Sequence, residues 1–449
     1  MAERTKQDEA RIPDGALWGK ETARAIGNFP ISGRPLPAGV IRSLAMIKAA
    51  CATANRDIGR LAPEEADRIR RAALDVAGGA HLDQFPVDVY QTGSGTSTNM
   101  NVNEVIAHLA STSSRPIHPN DHVNLGQSSN DVFPTAVHMA AREALEEIAL
   151  PGLEGLIVAL SEKSRDWHDV IGLGRTHSMD AMPRRIGQLI GGYAAMLRDD
   201  AVRLRSADHA LCAVALGGTA VGTGYGAPPT FVRRALAELA IISGRTFREA
   251  SNHFAAQGGI DVLVSASATV RGTAISMAKI AADLRWLASG PVGGPAEIQF
   301  PPLQAGSSMM PGKVNPVMVE TVLQVWARIV GNDASIAAAG ASGILDLNTF
   351  LPLVADALLE SLTLLGRSAA AFADKAVRGL EVDRVRCADL VERSGMLVTA
   401  LSARIGYDRA AEIAREAQRT GRTVRMVAKE MGVLPAEEID RLLDPGSMT

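Results

Sequence analysis

One short run, GSSMMPGKVNP from Gly306 to Pro316, gathers side chains suited to acid–base chemistry and anion binding. It holds Ser307, Ser308, Lys313 and Asn315 between two glycines and a proline, and Glu320 follows four residues later. A phosphate-binding P-loop needs four residues between its glycines and a Ser or Thr directly after its lysine. Here five residues separate Gly306 from Gly312, and Val314 follows Lys313, so no hydroxyl is placed to hold a magnesium ion. The nucleotide reading fails on spacing and on chemistry. Asn315-Pro316 reads as a helix N-cap followed by proline at the first helical position. That places Glu320 just over one turn into the helix. Lys313, Asn315 and the helix N-terminus together suit one carboxylate. A capped helix after a flexible loop reads the same turn signals and leaves the polar set unexplained.

Three other segments are equally polar. TGSGTSTNMNVNE, Thr92 to Glu104, offers many neutral donors to a small anion, or forms a hydroxyl-rich turn with a cap. HPNDHVNLGQSSNDVFPT, His118 to Thr135, sets Ser128, Ser129 and Asn130 before a helical pattern. There, free backbone N–H groups favour an anion, or Ser129, Asn130 or Asp131 simply caps the helix. Arg115 adds a cation three residues upstream of His118. GRTHSMDAMP, Gly174 to Pro183, sets His177 beside Thr176 in a loop before a long helix. A histidine there serves as a general acid or base, or as an ordinary hydrogen-bonding residue. No HExxH, paired CxxC, carboxylate cluster or GxSxG elbow is present, so neither a metal nor a cofactor is expected.

These loops need a scaffold, and the rest of the chain supplies one. Of 449 residues, 47% are apolar and only 4% aromatic. Apolar stripes at helical spacing run from Ile186 to Leu204, from Asp261 to Leu287, from Pro316 past Ile329, and from Leu353 to Leu365. Several are apolar on more than one face, which predicts a central bundle of long helices. Beyond Glu381 the pattern shortens to amphipathic helices at Asp408–Gln418, Val424–Met431 and Ala436–Leu443. The expected division is 1–127, 128–380 and 381–449. Net charge is −3 from 46 basic and 49 acidic side chains, which argues against a nucleic-acid partner. Three scattered cysteines and a polar leader, MAERTKQDEARIPDG, predict a cytoplasmic protein. The uncharged run Ala210–Val232 is long enough to cross a membrane, but its five glycines and two prolines predict a buried turn instead.

The polar segments together, with ALGGTAVGTG at Ala215–Gly224, resemble the fumarase/aspartase superfamily in the same order, and most closely the class II fumarases. The resemblance runs from about Leu17 to the C-terminal region. It implies an all-α, three-domain fold whose homotetramer builds a 20-helix core, with each active site drawing loops from several subunits. It implies reversible addition of water to fumarate, giving L-malate through an aci-carboxylate, with a four-carbon dicarboxylate as the only partner besides the chain's own copies. Ser307 matches the family's base, and loop N–H groups and Lys313 must activate it, because a serine is a poor base at its free pKa. Lys313 and Asn315 match the groups that hold the dianionic intermediate. His177, paired with Glu320, matches the group that handles the leaving hydroxyl. Ser94, Thr96, Asn99, Ser128, Ser129, Asn130 and Thr176 match substrate-carboxylate binders. Arg115, His118, Asn120 and Asp121 match a second dicarboxylate site.

TGSG and QSSND favour water over ammonia as the group added. The chain departs from the family pattern at Val292, Pro295, Leu189 and Asp346, which bears on substrate identity. Two other readings are an aspartate ammonia-lyase or related lyase acting on a substituted succinate, and a non-catalytic helical assembly protein.

Overall fold

The structure, a computed structural model, describes residues 12–449; the polar leader up to Arg11 lies outside the described residues. The described chain is overwhelmingly helical. In chain order the helices are α1 (Lys20–Asn28), α2 (Ala38–Asp57), α3 (Pro63–Ala77), α4 (Thr96–Ala110), α5 (Ser129–Ala144), α6 (Leu150–Asp166), α7 (Ile186–Leu211), α8 (Pro229–Ser243), α9 (His253–Gly258) and α10 (Asp261–Leu287). They continue as α11 (Val317–Ala341), α12 (Leu351–Lys375), α13 (Arg384–Arg393), α14 (Thr399–Ile405), α15 (Tyr407–Thr420), α16 (Val424–Glu430) and α17 (Ala436–Leu442). The four long periodic stripes become α7, α10, α11 and α12. None of the described helices is long and apolar enough to cross a membrane, and residues 212–228 of the uncharged run form the connection between α7 and α8.

The chain divides into two compact units. The first comprises the residues up to Leu150, Val202–Gly272 and Ala327–Gly366; the second comprises Pro151–Ala201, Thr273–Trp326 and Arg367–Thr449. In the first unit, α2 packs against α3, α5 and α8. It is buried over most of its circumference, with Val40, Ile41, Leu44, Ile47 and Cys51 inside. A single π-turn, Leu145–Ala149, separates α5 from α6. Pro151 explains it, because a proline cannot donate to the carbonyl four residues back and its ring crowds that carbonyl.

In the second unit, β1 (Ile171–Thr176) and β2 (Met179–Arg185) form an antiparallel hairpin. Leu173 of β1 joins Val391, Leu401, Ile413, Val427 and Ile439 in one apolar core. The short C-terminal helices end and begin where the turn signals lie. Gly421, at φ 68°, closes α15, and the Thr423 hydroxyl accepts from the Met426 N–H at 3.3 Å to cap α16. The remaining described strands are two residues each. In the first unit β3 (Ala213–Val214) pairs parallel with β4 (Arg248–Glu249), and in the second β5 (Ile298–Gln299) pairs antiparallel with β6 (Glu381–Val382).

Two glycines fix where α4 begins. A side chain at Gly93 would stand 1.7 Å from the Thr349 carbonyl oxygen, and one at Gly95 would stand 2.2 Å from the Phe133 ring. Gly95 also adopts φ 74°, where an L side chain is strained. Left-handed strain plus overpacking against a buried ring costs on the order of 2–4 kcal/mol. Gly95→Ala is therefore expected to lower the thermal unfolding midpoint by several degrees, read by circular dichroism; an unchanged midpoint would show that this close approach is not needed.

Candidate active site

In the first unit, the start of α4 presents hydroxyls and amides. The Ser94 and Thr96 hydroxyls share a hydrogen bond of 2.7 Å. Asn99, 1% exposed, donates from its amide to the Ser129 hydroxyl at 3.1 Å and to Asn124 Oδ1 at 3.3 Å. Asn99 Oδ1 is buried without a partner. Ser94, Thr96, Asn99 and Ser129, four of the sequence candidates, therefore lie where α4 and α5 begin.

Ser128, rather than the residues after it, caps α5. Its hydroxyl accepts from the Asn130 N–H at 3.2 Å, and Asp131 Oδ1 accepts from the Ser128 N–H at 2.9 Å, a reciprocal box that leaves Ser129 in the first turn. Asp131 is fully buried, and its other oxygen accepts from the Gly217 and Thr219 N–H groups at 3.1 and 3.0 Å. Burial pushes this carboxyl upward from its ordinary pKa while the three backbone donors pull against that rise. The Asn130 amide donates to the Ala220 carbonyl at 2.8 Å. The glycine-rich 215–224 segment is thus folded onto the start of α5.

Lys48 on α2 was not among the sequence candidates. It is fully buried, and its ammonium donates to Asn124 Oδ1 and Gln127 Oε1, both at 2.9 Å. Asn124 Oδ1 also accepts from Asn103 at 3.3 Å. Burial lowers the Lys48 pKa to about 7, against weaker raising effects from Cys51 and Asp131. A sequence signal existed: Lys48 is the one charged residue between Arg42 and Arg56, in an otherwise apolar stretch.

The residues expected to form a second dicarboxylate cluster, Arg115, His118, Asn120 and Asp121, are exposed. Asn120 and Asp121 lie on a π-turn, Pro119–Val123, and His118 Nδ1 accepts from the Asp121 N–H at 3.1 Å. The Arg115 guanidinium is already paired with Glu64. The cation expected to serve this cluster is therefore engaged by α3.

In the second unit, His177 does not sit in an irregular loop. It and Ser178 form the two-residue tip of the β1–β2 hairpin at φ 55° and 61°, the left-handed pair that matches strand twist. Thr176 and His177 are exposed. Arg175, next in the strand, ties the hairpin to buried Glu297 at 2.5 Å.

The GSSMMPGKVNP loop closes on itself. The Asn315 amide donates to the Gly306 carbonyl at 2.6 Å. Helix α11 begins at Val317, so Asn315 fastens the loop instead of capping the helix with its side chain. The Ser307 hydroxyl accepts from the Met309 and Met310 N–H groups at 3.1 and 3.0 Å. Lys313 and Glu320 are exposed. Among the described residues, His177 and Glu320 form no hydrogen bond or ion pair with each other.

A family model described as lyase matches residues 9–331, and one described as the fumarase C C-terminus matches residues 397–449. The fumarate hydratase class II of Mycobacterium tuberculosis is 48% identical over 441 residues, covering 97% of this chain and 93% of that one. The chain belongs to the fumarase/aspartase superfamily. Among solved structures, the class II fumarase of Schistosoma mansoni is similar with a TM-score of 0.94 at 38% identity, covering 97% of this chain and 96% of the other. The fumarate lyase:delta crystallin of Brucella melitensis is similar with a TM-score of 0.93 at 42% identity, covering 97% and 96%.

The family departures fall in definable places. Val292 is 94% exposed. Pro295 offers only its carbonyl, which accepts from Arg386 at 2.9 Å, so the proline costs no hydrogen bond there. Leu189 lines a cavity with Arg175, Arg184, Tyr193, Lys279 and Asp283. Asp346 is exposed, while nearby Asn348 is buried and donates to the Ala339 carbonyl at 2.9 Å.

In this fumarase-superfamily chain, the Asn315–Gly306 bond is the side-chain clasp of the loop. Losing one hydrogen bond worth about 1 kcal/mol raises the open population several-fold. Asn315→Ala is expected to speed tryptic cleavage after Lys313 by about five- to tenfold under native conditions; an unchanged cleavage rate would show that Asn315 does not hold the loop shut.

Proposed function

We propose that this chain adds water reversibly to fumarate to give L-malate, with Ser307 as the base. The observation that carries the reading is the pair of backbone N–H groups directed at the Ser307 hydroxyl. A serine removes a carbon-bound proton only when its alkoxide is stabilised, and preorganised N–H donors do that without reorganisation during the reaction. The similarity to class II fumarate hydratases over nearly the whole chain supports the same substrate.

In the direction from malate, Ser307 takes the proton from the carbon beside one carboxylate, and the electron pair moves into that carboxylate. Lys313 and the second N–H of Asn315 hold the resulting dianion. The carbon–oxygen bond then breaks, and His177 delivers a proton to the departing hydroxide, directly or through a water, releasing fumarate and water. Ser94, Thr96, Asn99, Ser128, Ser129, Asn130 and Thr176 hold the carboxylates. Arg115, His118, Asn120 and Asp121 form a second dicarboxylate site at the surface.

We further read the working form as a homotetramer with shared active sites. His177, Lys313 and Glu320 are exposed in the single chain, and in this reading the His177–Glu320 pair forms between copies. Val202, Ile275 and Trp286 are exposed apolar residues on long helices and give copies a surface to share. Three free cysteines suit the cytoplasm. The division at residues 127 and 380 stays part of the reading drawn from the resemblance.

Purified protein offered L-malate and then L-aspartate, with absorbance followed near the fumarate band, is expected to turn over malate alone. Turnover of aspartate alone would replace the reading with an ammonia-lyase, and turnover of neither would favour the assembly protein. Ser307→Ala is expected to lower kcat by at least about a thousandfold with the fold intact. Activity in that variant close to wild type would remove Ser307 as the base.

A further inference from the structure

We propose that Lys48 is a positioning residue for the carboxylate-binding edge at the start of α5: its buried ammonium acts through Asn124 and Gln127 to give the Asn99–Ser129–Asn130 edge the positive potential that receives a dicarboxylate. The inference rests on the reading of that edge as a substrate-carboxylate site.

Lys48 is 0% exposed, yet no carboxylate among the described residues lies within ion-pair distance of its ammonium. Its partners are two neutral amide oxygens. A buried charge without a counter-ion is costly, and an apolar side chain of similar length would fill the same space without that cost. The hydrogen bonds lead in one direction. Asn124 Oδ1 receives Lys48 and also the Asn99 amide, and the Asn99 amide reaches the Ser129 hydroxyl in the first turn of α5. Gln127 directly precedes the capping residue, Ser128. The buried charge, which Asp131 offsets only through space and not by a direct ion pair, therefore lies behind the helix end whose free N–H groups favour an anion.

The charges acting on Lys48 are few. Cys51 is on its own helix, and burial raises that thiol to about 12. Asp131 comes from α5, where its carboxyl is bonded to three backbone N–H groups. The π-turn and the segment after it, with α4, present neutral amides, and α3 and α8 contribute no charge to it. With a pKa of about 7, Lys48 is about nine-tenths neutral at pH 8 in the empty site. An arriving dianion favours the protonated form, so binding takes up a proton, and affinity falls as pH rises above 7.

The test uses the full-length protein and succinate, a four-carbon dicarboxylate with no leaving group. Titration calorimetry at pH 7, 8 and 9, in two buffers of different ionisation enthalpy, reads dissociation constant and proton uptake together. Wild type is expected to take up close to one proton per site at pH 8, with the dissociation constant rising up to about tenfold per pH unit above 7. Lys48→Met is expected to bind succinate at least about tenfold more weakly at pH 7 and to lose both the proton uptake and the pH slope. Asn124→Asp puts a carboxylate on the ammonium; it is expected to weaken binding and flatten the slope by a different chemical route, which keeps the test decisive if Lys48→Met unfolds. Wild type that binds succinate without proton uptake, or either folded variant binding with the wild-type pH slope, would overturn the role of Lys48 alone. Failure of wild type to bind succinate at any pH would overturn the carboxylate-site reading and this inference with it.

Discussion

A buried carboxylate with three backbone donors organises the first unit. Asp131 closes the cap on α5 through the Ser128 N–H, and it holds the Gly217 and Thr219 N–H groups with its other oxygen. Without it, two N–H groups of a turn and one of a helix end would be left buried and unpaired, each at a cost of about 1–3 kcal/mol. The 215–224 segment has no regular structure of its own, and Gly217 and Thr219 adopt φ 104° and 56°. Its path depends on being tied down. Gln257 adds a second tie, donating to the Thr219 carbonyl at 2.7 Å. The same carboxylate therefore sets both the direction of the free N–H groups of α5 and the wall beside them.

The long helices were legible because their cores are periodic. The stripe from Asp261 to Leu287 is a helix with those same ends, and Val424 and Ala436 begin helices where the turn signals said. The hairpin was not legible. Its strands contain glycine, arginine and proline in place of alternating β-branched residues, and its tip uses His177-Ser178 where glycine or asparagine is usual. What holds it is tertiary: the Arg175–Glu297 contact at one end and Leu173 in the C-terminal core. Local propensity carries neither piece of information.

The site was legible where its logic is local. Ser128 and Asp131 stand three apart, and that spacing is a cap whatever surrounds it. Asn315 was misread because its partner, Gly306, lies nine residues back, and a side-chain clasp leaves no trace in helix propensity. Lys48 is the extreme case. Its partners lie 76 and 79 residues away, so only the packing of α2 reveals which way it points.

That lysine also sets a condition on durability. Its unfolded pKa is near 10.4 and its folded value about 7. Burying the cation opposes folding in full below pH 7, and the opposition fades as pH rises toward 10. Over that range the fold recovers stability on the order of 5 kcal/mol per chain from this one group. Helix α2 also carries Arg42, Arg56 and Asp57, but Lys48 is the charge that is fully buried, and its protonated form is the one that folding disfavours. For this one group, mild alkali favours the folded chain, because it silences the most deeply buried cation among the described residues.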